Sequence, residues 1–263
     1  MHILIEPLLA ADKFCPFKGG VNMERQKNSS PWYTYAWVWL VLGILAYLLC
    51  MRMAYWDYMI AEDLNRLCKP GRLEALKKRL EEEPELVRKK LQYGDGNNRL
   101  VHMVCRNHNL EGIQYLKSLD ADFSQETAFL GDTPLSILSE TLYPNTVESI
   151  REVVSSRFVG GERILRPNRS GISPIMVSIL EYQPLILKEY LEILKRQGVK
   201  MDKDALLQLA VKKLRENQQG HTIVTLLVTD GANHAGKDAE GKSALDLARE
   251  AKKEDFLKLM VGK

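Results

Sequence analysis

Two hydrophobic patterns follow one another along the 263 residues. From Ala36 to Met51 the chain is apolar on every side, and no charged residue occurs between Asn28 and Met51. About 20 such residues suffice to cross a bilayer as a helix. Trp32, Tyr33, Tyr35 and Trp37 crowd one end of the run, with Tyr55, Trp56 and Tyr58 at the other, where amphipathic rings sit at the two headgroup layers. A buried core helix is usually shorter or amphipathic, and a cleaved signal peptide has a short apolar region before a small-x-small site. The pattern therefore predicts an uncleaved spanning helix over 31–56, preceded by a tail over 1–30 in which Met23 is a candidate true start.

After Asp57 the chain becomes charged and helix-forming, with apolar residues at helical spacing, which predicts an all-α domain over 57–263. Within it one unit recurs. The segments Arg99-Leu100-Val101-His102-Met103-Val104, Thr133-Pro134-Leu135-Ser136-Ile137-Leu138 and Ser173-Pro174-Ile175-Met176-Val177-Ser178 each read as the opening of a short helix. A degenerate Ala205-Leu206-Leu207-Gln208-Leu209-Ala210 and a clear Ser243-Ala244-Leu245-Asp246-Leu247-Ala248 continue the series. Second helices align behind them, Leu110 to Leu116 closing on Asp120-Ala121-Asp122, and Gly220 to Leu227 closing on Asp230-Gly231-Ala232-Asn233. Pro70 to Val87 supplies the bend, second helix and exit of a first unit.

These segments resemble the ankyrin repeat, whose T-P-L-H-x-A opening recurs with a period of about 33. The resemblance implies an all-α solenoid of roughly six repeats. Ser or Thr would cap each first helix, Pro would suit the first helical position, and Gly231 and Gly241 would take positive φ. Departures are visible: Ser178 stands where a small apolar residue is usual, Val211 to Gln219 lengthens one first helix, and irregular spacing distorts repeats three to five. The charged last repeat, with Arg249, Glu250, Lys252, Lys253, Glu254 and Lys258, suits a polar cap.

Composition adds little about a partner. A net charge of +3, with 27% charged residues of mixed sign, makes no case for nucleic acid. The four cysteines, Cys15, Cys50, Cys68 and Cys105, are scattered and form no C-x-x-C pair. Lys13, Lys18, Arg25 and Lys27 precede the apolar run, whereas Arg52, Arg66, Lys69, Arg72, Lys77, Lys78 and Arg79 follow it. That balance favours a cytoplasmic repeat domain in a plasma or inner membrane, the opposite topology staying open. Asn28-Ser29-Ser30 and Asn168-Arg169-Ser170 match the glycosylation acceptor, a pattern too short to assign a role.

Three chemistries are weighed. Gly236 to Ser243 satisfies G-x-x-x-x-G-K-[ST], but several residues separate it from the preceding apolar run and only 20 follow it, too few to supply a magnesium-holding strand. The repeat reading makes Gly241 a turn and Ser243 a helix cap. His102, Cys105 and His108 suggest zinc by spacing, yet a fourth ligand is not evident. No nucleophile elbow, H-E-x-x-H or isolated carboxylate pair occurs. The expectation is no catalytic, cofactor or metal site, and no small-molecule substrate.

What the resemblance implies instead is recognition of a protein through a concave face of turn fingers and exposed first-helix positions. Asn97, Asn98, Arg99, Asp132, Arg169, Asn233, Lys237 and Lys242 lie at or near those fingers. The expected function is a membrane-anchored scaffold or adaptor. The alternative is a membrane-tethered inhibitor or immunity protein, and a nucleotide-binding enzyme using Gly236 to Ser243 is a distant third.

Overall fold

A computed structural model describes residues 31–91 and 98–262, with side chains from Tyr35 onward. The tail over 1–30, the start at Met23, the Asn28 motif, the rings of Trp32 and Tyr33, and Asn97 lie outside the described residues. The chain divides into two units, Met1–Cys50 and Met51–Lys263.

The apolar run forms part of helix α1, Pro31–Leu67. Every residue from Tyr35 to Trp56 is exposed, and none of its apolar window is buried, which separates it from a core helix of this chain. It is long and apolar enough to cross a membrane. The helix does not end at Trp56. No Gly or Pro interrupts the sequence between Met51 and Cys68, and beyond Trp56 the pattern turns amphipathic, so Ala61 and Leu64 are fully buried and join the core of the second unit.

That second unit is built of helix pairs. The last turns of α1 and the helix α2, Leu73–Glu82, share one hydrophobic cluster, and a short 3-10 helix, Pro84–Val87, follows α2. The next pairs are α3, Leu100–Arg106, with α4, Leu110–Ser118, and α5, Pro134–Glu140, with α6, Thr146–Val154. After a small helix α7, Glu162–Leu165, come α8, Pro174–Leu180, with α9, Pro184–Gln197. The last pairs are α10, Lys203–Lys213, with α11, Gln218–Thr229, and α12, Ala244–Glu250, with α13, Glu254–Val261. No β-strand occurs among the described residues, the extended pairings of Leu91 with Asn98 and Lys237 with Ser243 being isolated.

Contacts run between neighbours. First helices touch in the order α3, α5, α8, α10, α12, and second helices in the order α2, α4, α6, α9, α11, α13. One hydrophobic cluster extends from Ala61 to Met260, as stacked units that cannot bury their faces alone require. The middle is irregular: α7 is an insertion and α9 runs 14 residues. The expected lengthening through Gln219 is not seen. Helix α10 stops at Lys213, and Asn217 begins α11 by accepting a hydrogen bond from Gly220 N.

Capping follows the sequence only in part. Thr133 Oγ1 accepts from Ser136 N and Ser243 Oγ from Asp246 N, each below a first helix, but Ser173 makes no such bond. Two other polar residues link a helix end to a neighbouring repeat. Asn109 is 2% exposed; its Oδ1 accepts from Gly112 N at 3.0 Å while its amide donates to the carbonyls of Cys68 and Lys69 at the end of α1. Glu216, in the α10–α11 bend, accepts from Asp255 N and Phe256 N and so caps α13.

Replacing Asn109 with Ala removes a helix cap and strands two carbonyls, and should cost about 2–3 kcal/mol. Glu216→Ala loses a solvent-exposed cap and should cost about 1 kcal/mol. Urea denaturation of the full chain in detergent micelles checks both; an unchanged midpoint for Asn109→Ala would show that the bridge to α1 carries no stability.

Candidate protein-binding face

The fingers are the loops that lead into each first helix. Two share one construction. Asp238 Oδ1 accepts from Glu240 N and Lys242 N, and Asn168 Oδ1 accepts from Ser170 N and Ile172 N, a side-chain turn closed by a glycine at φ +77° in each. Gly231 likewise takes φ +96°, as its exit position requires. The glycosylation-like Asn168 thus has both ends of its amide engaged, its nitrogen donating to Asp132 Oδ1 at 2.8 Å.

Adjacent fingers are zipped together. Arg169 N donates to Leu130 O at 3.0 Å, and its guanidinium donates to the carbonyls of Ala128 and Phe129. Thr127 and Asp132 close the finger that carries them with two hydrogen bonds of 2.9 and 3.0 Å. Farther along, Asp204 Oδ1 accepts from Asn233 N and Gln208 donates to Gly236 O, so α10 holds the last finger.

His102 ties a first helix to the next finger. Its Nδ1 accepts from Arg99 N at 3.0 Å, which leaves Nε2 to donate to Gln125 O at 3.1 Å. Burial pulls its pKa from 6.5 down to about 4, against the bond to Gln125 O, which favours the charged ring. His108, at φ +47° in the α3–α4 bend, meets Thr146 Oγ1 at 2.9 Å, and burial lowers its pKa to about 4 as well. Cys105 is fully buried, and burial raises its thiol. These three side chains are spent on packing and on neighbours. No group of three or more potential metal ligands occurs among the described residues.

The phosphate-loop match is a finger. A working loop aims its amides outward at phosphate, whereas here the amides of Gly236, Asp238, Glu240, Gly241 and Lys242 all bond inside the turn. Lys242 Nζ sits 2.7 Å from Glu250, and Ser243 forms a reciprocal cap with Asp246, whose carboxyl the Ser243 hydroxyl and amide hold below its ordinary range.

The residues expected on the face are distributed unevenly. Asn233 and Lys237 are exposed at the last finger and Arg169 at an earlier one. Arg99, Asp132 and Lys242 are half-buried, bonded respectively to Arg88 O, Asn168 and Glu250. Asn98 is fully buried and presents no side chain to a partner. The first helices contribute less than expected: α3 from Leu100 to Cys105 and α5 from Pro134 to Ser139 are buried throughout, so there the accessible surface comes from the fingers. Phe129 was not anticipated. It is 73% exposed at a finger tip, beside the partly exposed Leu130. The available signal was an apolar Phe-Leu pair in a loop whose counterparts read Arg169-Ser170 and Ala239-Glu240.

No protein-family model matches the chain, and no curated protein matches it in sequence. Solved structures do. An ankyrin repeat domain from Acinetobacter baumannii AYE is similar with a TM-score of 0.58 at 16% identity, over 76% of this chain and 96% of that one. The fold is an ankyrin-like repeat stack. A chain in the complex of the predatory endopeptidase Bd0816 from Bdellovibrio bacteriovorus with immunity protein Bd3460 is similar with a TM-score of 0.56 at 18% identity, covering 76% of this chain and 97% of that one. The ankyrin repeat protein EF0377 has a TM-score of 0.53 at 20% identity, over 72% and 94%.

In this ankyrin-like stack the two depressed histidines set an acid limit. A ring that stays neutral when folded contributes stability fully present above pH 6.5, its unfolded value, and lost as pH falls toward 4. The loss should be on the order of 3 kcal/mol per ring. His102→Gln should be less stable at pH 7 yet lose less between pH 6.5 and 4, as thermal denaturation across that range would show; an unchanged pH profile would contradict the neutral, finger-holding ring.

Proposed function

We propose that the chain is a membrane-anchored protein-interaction module, a scaffold or adaptor whose repeat stack binds a protein partner through its finger row. The observation that carries this reading is the ordered, cross-braced set of fingers on an ankyrin-like stack, with Asn233, Lys237 and Arg169 exposed along it. Rigid loops on a packed scaffold recognise partners without a large ordering cost. The exposed apolar stretch of α1 supports the anchor: so much apolar surface left in water would drive aggregation, and a bilayer removes it. Tyr55, Trp56 and Tyr58, all exposed, follow the stretch where an interfacial belt belongs. The excess of Lys and Arg after the stretch favours a cytoplasmic stack.

A second reading is a membrane-tethered inhibitor that neutralises a harmful enzyme. One observation favours it, the similarity to a chain from an endopeptidase–immunity protein complex. Topology separates the two, since an inhibitor of an incoming enzyme could face outward.

A photoreactive residue at Lys237 should give a protein adduct in intact membranes, while one at Lys258, exposed on α13, should not. Equal adducts from both positions, or none from Lys237, would contradict binding through the finger row. The chain should stay with membranes through alkaline carbonate washing and be released by detergent. Recovery in the alkaline supernatant would remove the anchor from the account.

A further inference from the structure

Helices α9 and α10 are joined by only Gly198 to Asp202, whereas 119–133 joins α4 to α5 and 230–243 joins α11 to α12. No finger fits in so short a connection, and the row is interrupted there. At this gap a cavity of about 450 Å³ opens between the last turns of α9 and α11. The buried Leu191 and Leu194 and the half-buried Val199 and Met201 form its apolar wall.

The charge around that wall is positive. Asp230 is the one acid in the lining, and Lys203 neutralises it at 2.7 Å. The other two lining cations, Lys195 and Lys200, are exposed and in no ion pair among the described residues. Carbonyls at the two helix ends, which would otherwise offset them, are engaged. Leu194 O and Lys195 O accept from the amides of Val199 and Gly198, and Leu227 O, Val228 O and Asp230 O accept from Ala232 N, Gly231 N and Lys203 Nζ. From Lys188 to Arg215 eight Lys and Arg stand against four Asp and Glu, so the surrounding sequence does not cancel the excess. Three of those four acids are occupied: Glu189 by Arg151, Asp202 by Ala205 N and Asp204 by Asn233 N.

Resting on the protein-interaction reading above, we propose that this gap receives an acidic segment of the partner, its carboxylates on Lys195 and Lys200 and an apolar side chain against Val199 and Met201. Asp230 both lines the cavity and begins the last finger, so the site continues the face that carries Asn233 and Lys237. Exposed ammonium groups at such a rim select and steer the segment, and the apolar wall fixes its register.

The test follows the anisotropy of a fluorophore-labelled peptide of Asp, Glu and Leu titrated with the full chain in nonionic detergent micelles. A second peptide carries Asn and Gln in place of the acids. The acidic peptide should bind at least tenfold tighter than its amide counterpart. Lys195→Gln with Lys200→Gln should abolish that advantage, whereas Lys212→Gln with Lys213→Gln, which removes the same charge from the exposed end of α10, should preserve it. Equal binding of the two peptides, or equal loss in the two double variants, overturns the proposal. Monomeric dihexanoyl phosphatidylserine that displaces the acidic peptide at lower concentration than unlabelled peptide does would make this a lipid site and overturns it too. The photoreactive Lys237 chain separates this site from the broader reading. Its adduct should weaken at least tenfold in the Lys195→Gln, Lys200→Gln background; an undiminished adduct leaves partner binding standing and removes this site from it, and no adduct in either background removes both.

Discussion

No helix pair in this chain can bury its own apolar face, and the stack exists because each pair covers its neighbour. The dependence is visible in the contact order, first helix to first helix and second to second, with one hydrophobic cluster of the described residues running from Ala61 to Met260. It explains the extension of α1. The first pair lacks a first helix of its own unless the chain continues helical past Trp56, so Ala61 and Leu64 complete that pair. At the other end Phe256 and Met260 are covered, while the outer surface of α13 is charged.

Apolar stacking is permissive about register, and polar bridges between repeats restrict it. Asn109 spans from α4 to the end of α1, His102 from α3 to the next finger, and Lys253 donates to Val211 O and Leu214 O at the end of α10. Glu189 is the most demanding, 4% exposed and gripped by Arg151 through both carboxylate oxygens, with Arg196 beside it. Only the carboxylate is buried, both guanidinium groups reaching solvent, so the ion pairs gain little net stability over well-packed apolar side chains, yet removing the arginines would leave Glu189 an uncompensated charge. Such groups reject the wrong neighbour more than they strengthen the right one. The same logic gives the fingers their order, since Asp132 with Asn168, and Arg169 with the carbonyls opposite, brace one loop against the next.

The features legible in the sequence are those encoded locally. Thr133-Pro134 and Ser243-Ala244 mark helix starts because capping is decided within four residues, and Gly231 and Gly241 mark turns because φ near +77° to +96° excludes most side chains. The features that escaped are long-range or context-dependent. Glu216 looks like any surface carboxylate until α13 arrives 39 residues later. Asn98 reads as a turn residue, but the pairing of Leu91 with its backbone places it inside. The phosphate-loop spacing is met because a finger also needs Gly before its capping Ser; only where the amides point separates the two. A repeat template assigns finger tips to polar residues, so the apolar Phe129 carries information the template discards.

Function follows from the same architecture. A stack whose repeats are bound to one another offers its fingers as a single rigid surface, and attachment to a bilayer would confine that surface to where its partners encounter the membrane. Everything rests on the core being continuous. Hydrogen exchange followed along the full chain in detergent micelles tests this most directly: amides of the second helices from α4 through α13 should show comparable, strong protection. Exchange at unfolded-chain rates in α10–α13 beside a protected α3–α6 would contradict a single coupled stack.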